Sequence, residues 1–195
     1  MARPREYDEN EVLEKALEAF WAHGFEATSL ADLMDATGLA KGSLYKGFGD
    51  KRSLFLRALD HYLERGRAGL SDLANDSRSG AELLRDWLGH VVSMATCTGL
   101  RKGCMSVNCT IELAPHDDDI RKRLRKHERQ VEALYARLIE RGIEDGSLRA
   151  ELDTQASAEW LTTIVDGLQV RGKLGLTRAQ ANSAVEMAMS ALEAR

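Results

Sequence analysis

Along most of the chain, apolar residues return every three or four positions, and that spacing predicts helices with few interruptions. Val12, Leu13, Ala16, Leu17, Phe20 and Trp21 form one such stripe, which His23-Gly24 stops. Thr28-Ser29 offers an N-cap for LADLMDA, a break follows at Thr37-Gly38, and another short helix starts near Lys41. Asp50 caps a longer helix that includes Leu54, Phe55, Ala58, Leu59, Tyr62 and Leu63. NDSRSG at 75–80 is a polar break, after which Leu83, Leu84, Trp87, Leu88, Val91 and Val92 resume the period. CTGLRKG at 97–103 breaks it again, and a helix from about Cys104 to Ala114 follows. Pro115 is expected to open a long helix, with Asp117, Asp118 and Asp119 in a first turn where negative charge suits the helix dipole. Ile120, Leu124, His127, Val131, Leu134 and Leu138 give that helix its stripe. After the loop RGIEDGSLRAELD, Asp153 is an N-cap for a helix at 154–170 carrying Trp160, Leu161, Ile164, Val165 and Leu168. A last helix, 178–194, carries Val185, Met189 and Leu192.

No long stretch alternates with period two, and the only prolines are Pro4 and Pro115. The expected fold is all-α, with about nine helices. The first ones are short and the rest longer. That suggests a three-helix N-terminal module over residues 1–50 on a larger helical bundle over 51–195. With 44% hydrophobic and 30% charged residues among 195, the composition is that of a soluble globular chain. No apolar run approaches the ~18–20 residues that span a membrane, and MARPREYDEN lacks the apolar core of a secretory signal. Three clustered cysteines are an odd number and too few for a disulfide framework, so a reducing cytoplasm is expected.

A net charge of −4 argues against a diffuse nucleic-acid coat but leaves room for a local basic surface. ATGLAKGSLYKGFGDK at 36–51 is such a place. It reads as a tight turn between two short helices. Leu30, Leu33, Met34, Leu39, Leu44 and Phe48 are expected to pack inward, and Gly38 permits the left-handed backbone of an abrupt turn. Lys41, Gly42, Ser43, Tyr45 and Lys46 remain outside, a set that suits phosphates and base edges. Between 41 and 57, Lys41, Lys46, Lys51, Arg52 and Arg57 face one acid, Asp50, while Glu9, Glu11, Glu14 and Glu18 lie on the first helix. The acidity is therefore expected to sort to one side. Arg3 and Arg5 are candidates for an arm that reaches a minor groove. A plain helical hairpin with a solvated lysine face would give the same pattern.

Residues 9–56 resemble the DNA-binding module of TetR-type transcriptional repressors. The resemblance lies in a helix ending F-x-x-x-G-F-x-x-T-S-L, the turn A-T-G-L-A-K-G-S-L-Y, then a phenylalanine and D-K-R-S-L-F. DGSLRAELD followed by VDGL is similar to the dimerising half of that family. The resemblance implies an all-α homodimer whose second motif helix lies in a major groove of double-stranded operator DNA. It also implies a C-terminal bundle that senses a small-molecule or reactive-species inducer. It matches Thr28, Lys41, Gly42, Ser43, Tyr45 and Lys51 to positions that usually touch DNA, and Lys46 to a position that varies and reads bases. One departure matters. Many members carry x-His-Phe or x-Tyr-Phe after the tyrosine, whereas this chain has Lys46-Gly47-Phe48, and Gly47 cannot make the usual side-chain phosphate contact.

In the C-terminal half, Trp87, His90, Met94, Met105, Trp160 and Ile164 are candidates to line a sensing pocket, although a stripe of this kind equally suits core packing. The last two helices resemble a four-helix dimer interface, and an internal hairpin reads the same way. CTGLRKGCMSVNCT holds all three cysteines. It has no CxxC and no following histidine pair, so zinc is a weak reading. Arg101, Lys102 and a helix start near Cys104 favour a reactive thiolate, with Cys97 as a partner across the loop. KGCMSVN also resembles a Gly-Cys-Leu-x-Val-Asn segment in a TetR branch that includes electrophile- and oxidant-responsive repressors. No phosphate loop, nucleophile elbow or metal-spaced histidine cluster suggests an enzyme or a cofactor. The alternative is a helical protein-interaction adaptor without specific DNA binding. That role has no need of the Lys-Gly-Ser-x-Tyr set.

Overall fold

The structure, a computed structural model, describes residues 7–97 and 102–194. Among these it contains nine helices: α1 (Glu9–His23), α2 (Leu30–Thr37), α3 (Lys41–Phe48), α4 (Lys51–Ala74), α5 (Gly80–Ala95), α6 (Met105–Glu112), α7 (Asp118–Glu144), α8 (Thr154–Lys173) and α9 (Arg178–Leu192). The only strand-like pairing among the described residues is an isolated bridge between Leu148 and Glu193. The chain forms two compact units, Met1–Arg65 and Gly66–Arg195, and α4 contributes to both. Arg3, Arg5 and Arg101 lie outside the described residues.

In the first unit the helix ends are set by local chemistry. Asp8 accepts from the N–H groups of Asn10 and Glu11 to start α1, and Gly24, at φ 83, ends it. Ser29 and Asp32 close a reciprocal capping box at α2, and Gly38 turns out of that helix at φ 73. Phe55 fills the centre, 5.1 Å from the Phe20 ring and 4.7 Å from Phe25. Leu33, Leu44 and Phe48 are buried as expected, while Leu30, Met34 and Leu39 are only half-buried. The acids of α1 are not sorted away from the basic residues. Glu9 pairs with Arg57, and Glu14 accepts from His61 at 2.7 Å and Arg65 at 2.5 Å.

In the second unit, Leu83, Leu84 and Leu88 of α5, Leu138 and Ile139 of α7, and Leu161 of α8 share one core. Gly80 lies so close to α7 that a Cβ there would collide with the backbone of Leu138 and Gly142. The α7–α8 loop helps to cap α5: the Asp145 carboxylate accepts from Gly80 N–H at 2.8 Å, and the Ser147 hydroxyl from Ala81 N–H at 3.1 Å. Pro115 does not open α7. It sits in a turn over 113–116, and Asp117 caps the helix by accepting from Asp119 and Ile120 N–H. Cys104 precedes α6 as its N-cap rather than lying within it, and α6 stops at Glu112.

Candidate nucleic-acid interface and sensing region

The exposed face of α3 is chemically bare. Its N-cap is Ala40, which makes no side-chain cap, so the first amide N–H groups of the helix are left for an outside acceptor. A Cβ at Gly42 would meet no atom within 4 Å, so nothing inside the protein requires glycine there. Lys41, Ser43, Tyr45 and Lys46 are exposed, Tyr45 by 42%. The Lys41 ammonium lies 5.5 Å from the centroid of the Tyr45 ring. Among the described residues, no acid pairs with Lys41 or Lys46. Leu44 and Phe48 anchor the opposite face.

Two of the expected contacts are engaged inside the protein. The Lys51 ammonium donates to the Glu26 carbonyl at 3.2 Å and lies 4.6 Å from the Phe25 ring centroid, which ties the start of α4 to the α1–α2 loop. Thr28 is fully buried, and its hydroxyl donates to the Gly24 carbonyl at 2.6 Å. No part of Thr28 is open to solvent, so the expected outside contact is not available to it in this conformation.

The sensing candidates divide. The Trp87 and His90 rings are 5.6 Å apart, and Trp87 donates to the Tyr135 hydroxyl at 2.8 Å. Met94 and Ile164 are half-buried and Met105 is buried, while His90 is exposed. Trp160 is 38% exposed, whereas Trp87 packs against the core of the unit. Cys97 is exposed and Cys104 half-buried, with the Cys104 Sγ 2.9 Å from the Ser106 hydroxyl. Cys109 is buried, and desolvation pushes its thiol up to about 12. Asn108 joins the loop to α8: its amide donates to the Lys102 carbonyl at 2.7 Å and accepts from the Lys173 ammonium at 2.9 Å.

Sequence reading missed Tyr135, Asp166 and Gln169. Tyr135 is fully buried, and burial raises its phenol above the ordinary range. Burial first, and then the Glu128 charge, pushes Asp166 up to about 6. The Gln169 side-chain oxygen is buried without a hydrogen-bond partner. Apolar periodicity carries no sign of such polar groups inside a helix pair.

No helix among the described residues is long and apolar enough to cross a membrane. The family model for bacterial regulatory proteins of the tetR family matches residues 12–58, and that for the tetracyclin repressor-like C-terminal domain matches 80–188. The HTH-type transcriptional repressor ComR of Escherichia coli K12 is 33% identical over 175 residues, covering 89% of this chain and 83% of that protein. A cysteine mutant of the TetR family regulator CifR, solved with a 26 bp double-strand operator DNA, is similar at 32% identity. Its TM-score is 0.84, with 97% of this chain and 99% of that one covered. The reduced form of E. coli NemR shares the fold, with a TM-score of 0.86 at 19% identity over 95% of this chain and 97% of that one. Both units thus have counterparts in one group of DNA-binding, non-enzymatic regulators, and the chain belongs to the TetR family of transcriptional regulators.

Proposed function

We propose that the protein is a cytoplasmic repressor that binds a near-palindromic operator as a homodimer and leaves it when a small molecule or reactive species is sensed in the second unit. The exposed, acid-free face of α3 carries the DNA part of this reading. Lys41, Gly42, Ser43 and Tyr45 meet phosphates, and Lys46 reads base edges. Lys51 completes the phosphate set, while its side chain also braces the α1–α2 loop, as the buried Thr28 hydroxyl does from inside. An eight-residue recognition helix spans only a few base pairs, so specificity calls for two half-sites and a two-fold dimer.

An outer stripe on α8 and α9 supports the dimer. Trp160, Gly167 and Val170 on α8, Leu174 just past its end, and Met187 on α9 are exposed, Leu174 by 83% and Met187 by 74%. Large apolar side chains left exposed at helical spacing along α8 suit a surface that a partner covers. A Cβ at Gly167 would meet nothing within 4 Å, which leaves room for a partner helix to approach closely. Cys104 is the sensing candidate for a reactive species, and the region of the half-buried Trp87 and Met94 and the exposed His90 for a reversible ligand.

The test is a titration against the DNA upstream of the protein's own gene, over a range of salt, with the oligomeric state followed by sedimentation. A dimer whose affinity falls steeply with salt is expected, because phosphate contacts release counterions. A monomer that binds that site tightly at micromolar concentration, or affinity indifferent to salt, overturns the reading.

A further inference from the structure

We infer that Tyr7 is a DNA contact: its hydroxyl stands where a side chain at position 47 would stand, and it donates a hydrogen bond to a DNA phosphate oxygen. The inference rests on α3 being the DNA-facing helix and adds a residue to that face from outside the helix-turn-helix motif.

Gly47 is half-buried on α3, one helical turn after the exposed Ser43 and next to the exposed Lys46. Its backbone does not require glycine, because its φ is not positive. Its surroundings do. A Cβ at Gly47 would collide with the Tyr7 hydroxyl and lie 3.3 Å from the Tyr7 Cζ. Glycine at 47 and tyrosine at 7 therefore fit one another across 40 residues of sequence.

Tyr7 is held in place. Its ring stacks on Phe48, centroids 6.1 Å apart and planes at 27°. Phe48 is in turn covered by the Arg57 guanidinium, 4.6 Å from its ring. Arg57 also donates to the Gly47 carbonyl at 3.2 Å and pairs with Glu9. Asp8, the next residue, is fixed as the N-cap of α1. The ring is thus wedged between the start of α1 and the end of α3.

The hydroxyl itself is free. Among the described residues it has no hydrogen-bond partner, and it is not among the sealed polar atoms. A phenol O–H needs an acceptor, and a phosphate oxygen is the acceptor that the lysine-flanked ridge of Ser43, Lys46 and Gly47 attracts. The departure at position 47 then removes no contact. The contact comes from Tyr7 instead.

The experiment compares the full-length wild type, Tyr7→Phe and Gly47→Ala in binding operator and unrelated duplex DNA, with melting temperature as a control. Tyr7→Phe keeps the ring and removes only the hydroxyl. It is expected to weaken both DNAs about tenfold, the size of a hydrogen bond to a charged group, with an unchanged melting temperature. Gly47→Ala displaces the hydroxyl and is expected to weaken binding to a similar degree, and Tyr7→Phe added to it causes little further loss. Tyr7→Phe binding as tightly as wild type overturns the inference. So does a loss confined to the operator, because the hydroxyl would then be reading a base. A wild type that binds no DNA overturns instead the reading of α3 on which the inference stands.

Discussion

Trp87 of α5 donates its indole N–H to the hydroxyl of Tyr135 on α7, 2.8 Å away. Tyr135 is almost wholly enclosed at 1% exposure, while Trp87 keeps an open edge. The bond ties two core helices with the only polar atom that the Tyr135 side chain has. Tyr135→Phe is expected to cost about 1 kcal/mol, lowering the melting temperature by about 2–4 °C in a chain of this size. In a thermal double-mutant cycle, Trp87→Phe should cost less in the Tyr135→Phe background than in wild type. Equal costs in both backgrounds would mean that the bond adds nothing.

Two glycines make opposite predictions. Gly80 touches the α7 backbone, and Gly80→Ala has to push α5 away from α7, at about 1–3 kcal/mol. Gly42 has open space around it, so Gly42→Ala should stabilise the protein by up to about 1 kcal/mol through helix propensity. The added methyl nevertheless stands on the face proposed to approach DNA, and operator affinity should fall. Urea melts and operator titrations of both variants separate the effects. Gly42→Ala that binds DNA as tightly as wild type would remove Gly42 from the interface.

The contrast between these glycines shows where sequence is legible. Short-range chemistry can be read directly: Ser29, Asp50 and Asp153 are caps because a side-chain oxygen reaches an N–H two or three residues ahead. The apolar faces of α1, α5 and α7 follow from a 3.6-residue period. Pro115 misleads because Asp117 caps more strongly two residues later, and the end of α6 turns on the Cys109 carbonyl, which accepts from both Leu113 and Ala114. Long-range fits leave no local trace. Trp87 with Tyr135, Tyr7 with Gly47, and Glu9 with Arg57 join residues dozens of positions apart, and no spacing rule pairs them.

Asp166 gives the second unit a pH dependence. It is half-buried on α8, and among the described residues no hydrogen bond or ion pair reaches it. Its carboxyl lies up at about 6 against an ordinary 3.8, through burial first and the Glu128 charge second. The folded state therefore keeps a proton that the unfolded chain releases. The stability this contributes is present below about pH 4 and lost as pH rises through about 6. Asp166→Asn should leave stability at pH 4 nearly unchanged and raise it at pH 7.5 by about 1–2 kcal/mol, after allowance for the open side of the site. Denaturant midpoints at the two pH values decide. A variant no more stable than wild type at pH 7.5 would show that the charge is already well solvated.

On α3 and at the start of α4, substitutions should sort by what each side chain touches. Tyr45→Ala is expected to weaken every DNA sequence alike, because phosphate contacts carry little sequence information. Lys51→Ala should do so too, and should also loosen the α1–α2 loop, since Lys51 holds the Glu26 carbonyl. Lys46→Ala should change base preference at one or two positions of a selected-site profile. If it lowers affinity and leaves that profile intact, Lys46 is one more phosphate contact.

Cys104 is where a covalent signal would do most. It caps α6 in a segment pinned from both sides: Asn108 holds the Lys102 carbonyl, and Lys173 of α8 holds Asn108. Gly103, at φ 64, packs so closely that a Cβ there would lie 3.2 Å from the Lys173 side chain and 3.3 Å from the Gln169 carbonyl. New bulk on the half-buried Cys104 sulfur therefore has to displace α6 or α8, both part of the bundle that α4 joins to the DNA-binding unit. Cys109 is a poor rival, because burial keeps its thiol protonated up to about 12. N-ethylmaleimide, to whose double bond a thiol adds, should lower operator affinity in wild type and in Cys109→Ser by about 1–3 kcal/mol, the usual scale of allosteric coupling. Cys104→Ser should resist it. A mild oxidant, which joins two thiols as a disulfide and takes up their two electrons, should release wild type but neither Cys104→Ser nor Cys97→Ser if Cys97 is the partner. If Cys104→Ser leaves DNA under both reagents as wild type does, the thiol is packing, and the signal has to enter as a reversible ligand near Trp87.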